Sequence, residues 1–158
     1  VVTAESEADT RVVAATLAAL LQPGDVVLLL GDLGAGKTLF TRAACRALGV
    51  PREAGVSSPS YSLVNLYDGG ELPVAHLDLY RLEDEDELEA IGIRDLLDSD
   101  RVLFVEWPER APMLREVATF EVELARDPGG DPARRELRLT ALDSQAQPGL
   151  VLAFASAG

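Results

Sequence analysis

The sequence predicts an α/β fold, and three consecutive features near the start of the chain carry that prediction. Residues 26–30 are a short apolar run bounded by turn residues, which is typical of a strand buried on both faces. Residues 31–36 contain three glycines and form the turn after it, and residues 37–48 have the apolar spacing of a helix. A strand, a glycine-rich loop and a helix in this order begin a parallel α/β unit.

A further helix precedes this unit. Residues 8–21 place apolar side chains at helical spacing, and Pro23 and Gly24 end the pattern. Ser6 and Asp9 are the candidate N-caps of this helix, because their side-chain oxygens can accept hydrogen bonds from free backbone N–H groups.

The remaining two thirds of the chain alternate between strand-like and helical patterns. Residues 61–67 alternate in polarity, and residues 74–79 and 101–105 are apolar runs that read as buried strands. A helix is expected over residues 85–97 between those two runs. Residues 120–124, 136–140 and 150–152 are predicted strands of the C-terminal third, with turns at 128–130 and 148–149.

Length and composition indicate one domain. A chain of 158 residues with 47% apolar content can bury a single core. We expect one domain over residues 1–158, with its core at about 8–142 and a C-terminal strand and tail at 143–158. The longest apolar run is too short for a membrane span and the N-terminus lacks a secretory layout, so a cytoplasmic location without membrane association is expected. Cys45 is the only cysteine, which leaves no internal disulfide.

The charge of the chain argues against direct binding to nucleic acid. Acidic residues number 27 and basic residues 14, which gives a net charge of −13 and a pI near 4.4. Binding to phosphate backbones requires clustered basic side chains. If RNA is involved in the function, we expect a partner protein to hold it.

The glycine-rich loop has the strongest functional signal. Residues 31–38 match the phosphate-binding pattern G-x-x-x-x-G-K-[S/T], and Lys37 is the only lysine among 14 basic residues. Lysine suits this position because it is a compact point charge, whereas the planar fork of arginine is too wide for a tight loop. We expect Thr38 to contact a Mg²⁺ ion that bridges the β- and γ-phosphates. The predicted nucleotide-contacting residues of this segment are Gly31, Asp32, Leu33, Gly34, Ala35, Gly36, Lys37, Thr38 and Leu39.

Two acidic residues stand at the ends of predicted strands. Asp78 closes the apolar run of residues 74–77, and Glu106 follows the run of residues 102–105. Ligands of open α/β sheets bind at the carboxyl ends of the strands, so both carboxylates are expected to face the γ-phosphate and its metal.

Three other features have more than one interpretation. Residues 57–60 are either a segment that closes over the γ-phosphate or an ordinary Ser-Pro turn. His76, the only histidine, has no companions with metal-ligand spacing, which favours a structural or supporting role over a catalytic one. Trp107 is interpreted as a core or domain-contact aromatic, with base stacking as the alternative.

The composition also favours ATP over GTP. Guanine-specific proteins with this loop usually read the base with an Asn-Lys-x-Asp motif. Asn65 and Lys37 are the only asparagine and lysine, and they are far apart in the chain, so the motif is absent.

Several blocks together resemble the TsaE (YjeE) family of small bacterial ATPases required for threonylcarbamoyladenosine in tRNA. They lie within residues 8–108 in the family's order, and the H-x-D-L-Y-R and Glu-Trp blocks are the most specific. The blocks are Gly31-Asp32-Leu33-Gly34-Ala35-Gly36-Lys37-Thr38, Ser58-Pro59-Ser60-Tyr61-Ser62-Leu63-Val64-Asn65, His76-Leu77-Asp78-Leu79-Tyr80-Arg81-Leu82, Ile91-Gly92-Ile93-Arg94-Asp95 and Val105-Glu106-Trp107-Pro108.

The resemblance implies a P-loop NTPase fold with a central mixed, mainly parallel sheet flanked by helices and with antiparallel C-terminal strands. It implies slow hydrolysis of ATP to ADP with Mg²⁺, and action with the TsaB and TsaD proteins, TsaD performing the threonylcarbamoyl transfer. tRNA would be contacted only through these partners. The implied catalytic residues are Lys37, Asp78 and Glu106.

The same resemblance assigns further roles. Thr38 and Glu106 would bind the metal, and Asp78 would act on the water or the metal shell. Arg135 corresponds to an arginine near the nucleotide, and Ser6 to a residue near the base. Two departures keep a hydroxyl, since Ser60 and Ser62 stand where threonines are usual, whereas Leu39 replaces a common threonine.

Two other functions fit the same motifs. A small-molecule kinase also combines a phosphate loop with a strand-end acid. A non-catalytic interaction module would bind ADP for structure alone. The chain is too short for an obvious lid or second substrate pocket, which favours an ATPase that drives a partner's cycle. No arginine is evidently placed to stabilise the transition state, and we therefore expect the isolated chain to be slow; Arg81 is the nearest candidate in sequence to an expected active carboxylate.

Overall fold

The computed structural model describes residues 1–59 and 61–155. Within these residues the chain forms seven β-strands and five α-helices. The strands are β1 (Val2–Ala4), β2 (Val26–Leu30), β3 (Val64–Tyr67), β4 (Val74–Asp78), β5 (Val102–Glu106), β6 (Phe120–Arg126) and β7 (Arg135–Ala141). The helices are α1 (Glu7–Ala18), α2 (Lys37–Ala47), α3 (Glu85–Ala90), α4 (Ile93–Asp98) and α5 (Gln147–Ala155).

All seven strands of the described residues belong to one sheet, in the order β1-β7-β6-β2-β5-β4-β3. In the central group β6-β2-β5-β4, every pair of neighbouring strands is parallel. β3 pairs antiparallel with β4, β7 with β6, and β1 with β7. The predicted fold class is confirmed, including the central parallel part and the antiparallel pairing of the C-terminal strands β6 and β7.

The core lies on both faces of the sheet, and β2 contributes apolar side chains to each face. Val27 and Leu29 pack with apolar side chains of α1 and α2 on one face. Val26 and Leu28 pack with side chains of α3 and α4 on the other face. Because neighbouring residues of a strand point to opposite sides, a strand covered on both faces must be apolar throughout. The glycine-rich loop therefore begins from a rigid central strand.

The first helix has the cap that the sequence predicts. The Ser6 hydroxyl oxygen accepts a hydrogen bond from the Asp9 backbone N–H at 3.3 Å, so Ser6 is the N-cap of α1. Asp9 also accepts from the backbone N–H of Glu5, the residue before the N-cap, at 3.0 Å, which ties the entry of the chain to the first turn of α1. None of the helices in the described part of the chain is long and apolar enough to cross a membrane.

Three local predictions differ from the structure. The predicted strand at residues 150–152 and the turn at 148–149 are wrong, because both lie in helix α5; the C-terminal strand expected within 143–158 is therefore a helix over Gln147–Ala155. The predicted helix over 85–97 is two short helices that break at Gly92, whose φ of 76° is left-handed. β1 lies in a segment for which no strand was predicted, and only its pairing with β7 defines it.

Candidate functional site

The glycine-rich loop joins the end of β2 to the start of α2. Gly31, Gly34 and Gly36 have φ values of 149°, 79° and 108°, which residues with side chains rarely adopt. At Gly31 the space is closed as well, since a Cβ there would lie 2.6 Å from the carbonyl oxygen of Leu124. Gly36 is the N-cap of α2 and provides no side-chain cap. The positive end of the α2 dipole is therefore presented by bare backbone, an arrangement suited to anions.

Two arginines from the antiparallel pair β6–β7 hold the outer side of this loop. Arg126 donates a hydrogen bond to the Leu33 carbonyl at 2.8 Å. Arg135 donates to the Ala35 carbonyl at 2.9 Å and to the Gly34 carbonyl at 3.3 Å. In a trans peptide the N–H points opposite to the C=O, so the N–H groups of these peptide units point away from the arginines. The arginines thereby help to fix the backbone of the loop, together with the internal hydrogen bond from the Ala35 N–H to the Asp32 carbonyl at 3.0 Å.

Asp78 and Glu106 lie side by side at the carboxyl ends of β4 and β5, where the register pairs them. Both are buried, with exposed fractions of 8% and 3%. Thr38 in the first turn of α2 lies with its hydroxyl 3.1 Å from each oxygen of the Glu106 carboxylate, to which it donates. Asp78 accepts from the Ser58 hydroxyl and, at 3.0 Å, from the Tyr80 backbone N–H. A hydroxyl and two carboxylates therefore converge at the start of α2.

The amine of Lys37 is buried beside these acids. Its Nζ donates to the carbonyl of Gly31 and lies 3.6 Å from the centroid of the Trp107 ring, a cation–π contact. Burial lowers the pKa of Lys37 below its usual value, and the negative charge of Glu106 is the largest influence in the opposite direction. The lysine is thus held at the loop by a neutral carbonyl and an aromatic face.

Trp107 owes its place to an unusual backbone conformation. Its φ of 58° is left-handed, which turns the chain sharply after β5. Its ring also packs against the ring of Tyr80, with centroids 4.9 Å apart and planes tilted by 48°. The sequence left open a core or domain-contact role and base stacking; the contact that the structure shows, with the amine of Lys37, was not among these predictions.

His76 lies beneath Glu106. It has no exposed surface, and its Nε2 is 2.5 Å from Oε2 of Glu106. The sequence predicted a structural or supporting role, and the structure identifies the residue with which His76 interacts.

Most of the predicted residues line one or both of two cavities, whereas Ser6, Gly31 and Asp32 line neither. The larger, of about 440 Å³, falls in the size range of small-molecule sites. A smaller one of about 120 Å³ includes Ala35, Arg135 and Thr10 in its lining. Ser6 caps α1, and the side chain of Asp32 is exposed on the loop. The predicted residues that line the larger cavity are Leu33, Gly34, Gly36, Lys37, Thr38, Leu39, Asp78 and Glu106.

The serine-rich segment joins the site through Ser58, whose hydroxyl contacts Asp78. Ser62 lies outside this contact and donates to the Val64 carbonyl at 3.2 Å. Ser60 falls outside the described residues.

Sequence reasoning missed Arg126 and Tyr80. Arg126 contacts a loop residue 93 positions earlier in the chain, and only the pairing of β6 with β2 brings the two together. Nothing in the local sequence around Arg126 indicates this contact. Tyr80 lies two residues after Asp78, and its position beyond a strand end was an available signal.

The oxygens at the site fit a magnesium ion. In residues 1–59 and 61–155 no three His, Cys, Asp or Glu side chains cluster as a metal site of their own. Thr38 and Glu106 offer hard oxygen donors in contact with each other, and Asp78 lies on the next strand. Mg²⁺ is typically held by one or two carboxylates, with water and substrate phosphates supplying the other ligands.

The central parallel strands and the glycine-rich loop that joins β2 to α2 define the class: an α/β protein with a glycine-rich loop at the carboxyl edge of a parallel sheet. Comparison with known proteins gives the family within that class. The model of the family described as Threonylcarbamoyl adenosine biosynthesis protein TsaE matches residues 4–136. The chain therefore belongs to the TsaE family, a family of tRNA threonylcarbamoyladenosine biosynthesis, and the resemblance drawn from the sequence blocks is confirmed.

Individual relatives agree with this assignment. The chain is 37% identical over 138 residues to the tRNA threonylcarbamoyladenosine biosynthesis protein TsaE of Bacillus subtilis (strain 168), which covers 87% of this chain and 82% of that protein. It is 43% identical over 106 residues to the TsaE protein of Aquifex aeolicus (strain VF5), covering 67% and 74%. The crystal structure of Bacillus subtilis YdiB matches with a TM-score of 0.74 and 26% identity, covering 99% of this chain and 95% of that one.

Proposed function

We propose that this chain binds Mg²⁺ and ATP at the glycine-rich loop, hydrolyses ATP slowly, and acts with TsaB and TsaD proteins in forming threonylcarbamoyladenosine in tRNA. The observation that carries the proposal is the hydroxyl of Thr38 in contact with both oxygens of Glu106, next to Lys37. In P-loop NTPases a threonine or serine at this position and a strand-end acid share the metal. The names of the relatives support the connection to tRNA modification.

The loop and Lys37 would bind the phosphates. The backbone donors of the loop are oriented by Arg126 and Arg135, and the dipole of α2 adds a positive potential. Lys37 is held by Gly31 and Trp107 through contacts with neutral groups. A phosphate oxygen is a stronger partner because the hydrogen bond to it is assisted by charge. Binding would therefore draw the amine from its present partners to the phosphates.

The two acids would serve the metal and the attacking water. Thr38 and Glu106 would hold Mg²⁺, which when bound neutralises the phosphate charge. Asp78 is fixed by the hydroxyl of Ser58 and the N–H of Tyr80, so its carboxylate has a defined orientation beside Glu106. It would orient water either as a base or from the shell of the metal.

A low rate for the isolated chain follows from the position of Arg81. Arg81 lines the larger cavity, but its guanidinium carbon lies 4.7 Å from the centroid of the Tyr61 ring. An arginine that stacks on a ring in this way is not committed to the transferred phosphoryl group, which is where arginine accelerates hydrolysis. We infer that a partner protein supplies or completes this function.

The nucleoside would extend toward the smaller cavity. Leu39 borders both cavities, and Arg135 and Thr10 line the smaller one. Ser6 lies at the start of α1, close in sequence to this lining. The absence of the guanine-reading motif from the sequence makes adenine the expected base.

The proposal is tested by nucleotide binding and hydrolysis with the chain alone and with TsaB and TsaD. We expect Mg-ATP to bind to the wild type and not to Lys37→Ala, with Arg94→Ala, an exposed arginine of α4, as the control that binds normally. We expect slow ATP consumption by the chain alone and faster consumption with the partners. Turnover of roughly 10 per second or faster by the isolated chain would contradict the dependence on partners.

The same assay distinguishes the alternatives. Transfer of phosphate from ATP to a member of a metabolite panel would identify a kinase instead. Glu106→Ala and Asp78→Ala variants that leave ATP consumption in the partner complex unchanged would identify a non-catalytic module.

A further inference from the structure

His76 is a polar residue in the interior of the sheet. It lies on β4 two residues before Asp78, so the two side chains leave the same face of the strand. Its neighbour on β5 in the register is Phe104, and Glu106 follows two residues later. The imidazole is fully buried, and its Nε2 meets Oε2 of Glu106 at 2.5 Å. The ring therefore contacts the proposed metal-binding carboxylate from the buried interior of the protein.

The hydrogen bond determines which nitrogen of the ring carries the proton. A carboxylate oxygen can only accept, so Nε2 of His76 must donate to Glu106. The other nitrogen, Nδ1, is buried and has no hydrogen-bond partner among residues 1–59 and 61–155. A proton on Nδ1 would be a buried donor without an acceptor, which is costly. With its proton on Nε2, the ring donates to Glu106 and leaves no unpaired donor at Nδ1.

The hydrogen bond from His76 makes the surroundings of the two carboxylate oxygens of Glu106 different. Oε2 of Glu106 receives the His76 hydrogen bond, whereas the Thr38 hydroxyl is 3.1 Å from Oε1 and from Oε2. Because His76 contacts only Oε2, Oε1 remains available to Thr38 and to a ligand in the larger cavity, which Thr38 and Glu106 line. Without the imidazole, the carboxylate would keep the Thr38 contact and lose the second contact that limits its rotation about the side-chain bonds.

We propose that His76 is a positioning residue that orients Glu106 for the metal ion. The inference rests on the proposed function, since it concerns the metal site of the ATP-binding loop. Partners that donate to a metal-binding carboxylate commonly change metal affinity by about 10- to 100-fold when they are removed. The expected effect of losing the His76 donor is therefore on Mg²⁺, while binding of the nucleotide alone is spared.

A matched pair of variants tests the position of the donor. In His76→Gln the amide nitrogen is as many bonds from Cα as Nε2, so it still reaches Glu106. In His76→Asn the same amide is one carbon shorter and does not reach. The measurement is the Mg²⁺ concentration that half-maximally strengthens ADP binding, together with ADP affinity without metal. His76→Leu, which removes the polar group, is a third variant where it folds.

We expect His76→Asn to raise the half-saturating Mg²⁺ concentration about 10-fold or more and His76→Gln to stay within about 3-fold of the wild type. ADP affinity without metal should stay within about 2-fold in both. Equal Mg²⁺ dependence in all proteins, an equal increase in both variants, or a proportional loss of metal-free ADP affinity would overturn the positioning role.

A second readout is independent of the nucleotide. His76 is the only histidine, so its ring signals in a ¹⁵N-edited NMR spectrum are unambiguous. We expect the Nε2–H tautomer and a shift of that signal in Glu106→Gln. An Nδ1–H tautomer would overturn the assigned hydrogen bond. A wild-type protein without Mg²⁺-dependent nucleotide binding would contradict the proposed function. The NMR measurement of the tautomer would still show whether His76 donates to Glu106.

Discussion

Lys37 combines a cost in stability with its proposed role in binding phosphate. Its charged amine is buried against a carbonyl and an aromatic ring, and burial lowers its pKa. A buried cation costs free energy unless it is well paired. The chain accepts this arrangement at the position where a phosphate would complete the pairing. A buried charge without a charged partner in contact is the kind of local cost that is typical of functional sites.

Lys37→Met separates the two effects. Methionine fills a similar volume without the charge, so we expect the unfolding midpoint of the nucleotide-free protein to stay within about 5 °C of the wild type, equivalent to roughly 1–2 kcal/mol. The stabilisation by saturating Mg-ADP, about 3 kcal/mol at 100 times Kd, should disappear. Thermal unfolding with and without Mg-ADP measures both. Retention of the nucleotide-induced shift by Lys37→Met would contradict the assigned role.

Glu106 is expected to matter for turnover and much less for nucleotide binding. Glu106→Gln keeps the shape of the side chain and removes the charge that would hold Mg²⁺. We expect ATP turnover to fall roughly 100-fold, while ADP affinity in the presence of a chelator changes less than about 3-fold. Glu116→Gln, at an exposed glutamate further along the connection between β5 and β6, is the control and should behave as the wild type. Equal turnover in both variants would remove Glu106 from the chemistry.

The glycine-rich loop depends on elements that are distant in sequence. β6 and β7 carry Arg126 and Arg135, whose guanidinium groups hold three consecutive carbonyls of the loop. The pattern of residues 31–38 predicts the loop itself but not these supports. A local motif therefore specifies the binding backbone, and the sheet order specifies what holds it in place.

Arg126→Gln tests this support. One hydrogen bond from an exposed guanidinium contributes about 0.5–1.5 kcal/mol, so we expect ADP affinity to fall roughly 2- to 10-fold. Arg138→Gln removes an exposed arginine of β7 and serves as the matched control. Titration with a fluorescent ADP analogue gives both affinities. A loss of the same size in the control would show that the effect is one of net charge.

The sequence predicts the buried central strands well and the edges poorly. β2, β4 and β5 are continuous apolar runs because both of their faces are covered, and they were predicted within a residue or two. β1 has only three residues and exists through its pairing with β7. The apolar run at residues 150–152 is compatible with a strand or with a buried helix. The distinguishing signal is Pro148, which lies in the first turn of α5, where proline is favoured.

Much of the candidate site was also predictable, since the loop, Thr38 and the two strand-end acids follow from a motif and from the rule for parallel sheets. The contacts of His76, Trp107 and Arg126 were not predictable. They depend on strand register, on a left-handed φ and on a pairing across the sheet, none of which local patterns encode.

The folded protein as a unit protects Cys45. This thiol is fully buried in α2, and burial raises its pKa to about 12. We expect a thiol reagent at pH 8 to react only through opening of the structure, and therefore far more slowly than in denaturant. Because the folded pKa lies above the unfolded value of 9.0, the contribution of Cys45 to stability is complete below pH 9 and declines as the pH rises from 9 toward 12. Labelling of the native protein as fast as of the denatured one would contradict this.

The charge of the molecule agrees with indirect contact to RNA. A net charge of −13 repels an extended polyanion, so for the proposed role in tRNA modification we expect partner proteins to hold the tRNA. ATP binding and hydrolysis at the loop would then act on the partner complex.

The most direct measurement is the number of threonylcarbamoyladenosine residues formed per TsaD molecule in a mixture of TsaB, TsaD, tRNA and this chain. With wild-type chain and ATP we expect many modifications per TsaD. With Glu106→Gln, or with a non-hydrolysable ATP analogue, we expect the count to stop near one. Equal, repeated turnover with the wild type, with Glu106→Gln and without the chain would contradict the claim that ATP hydrolysis at this site drives the modification cycle.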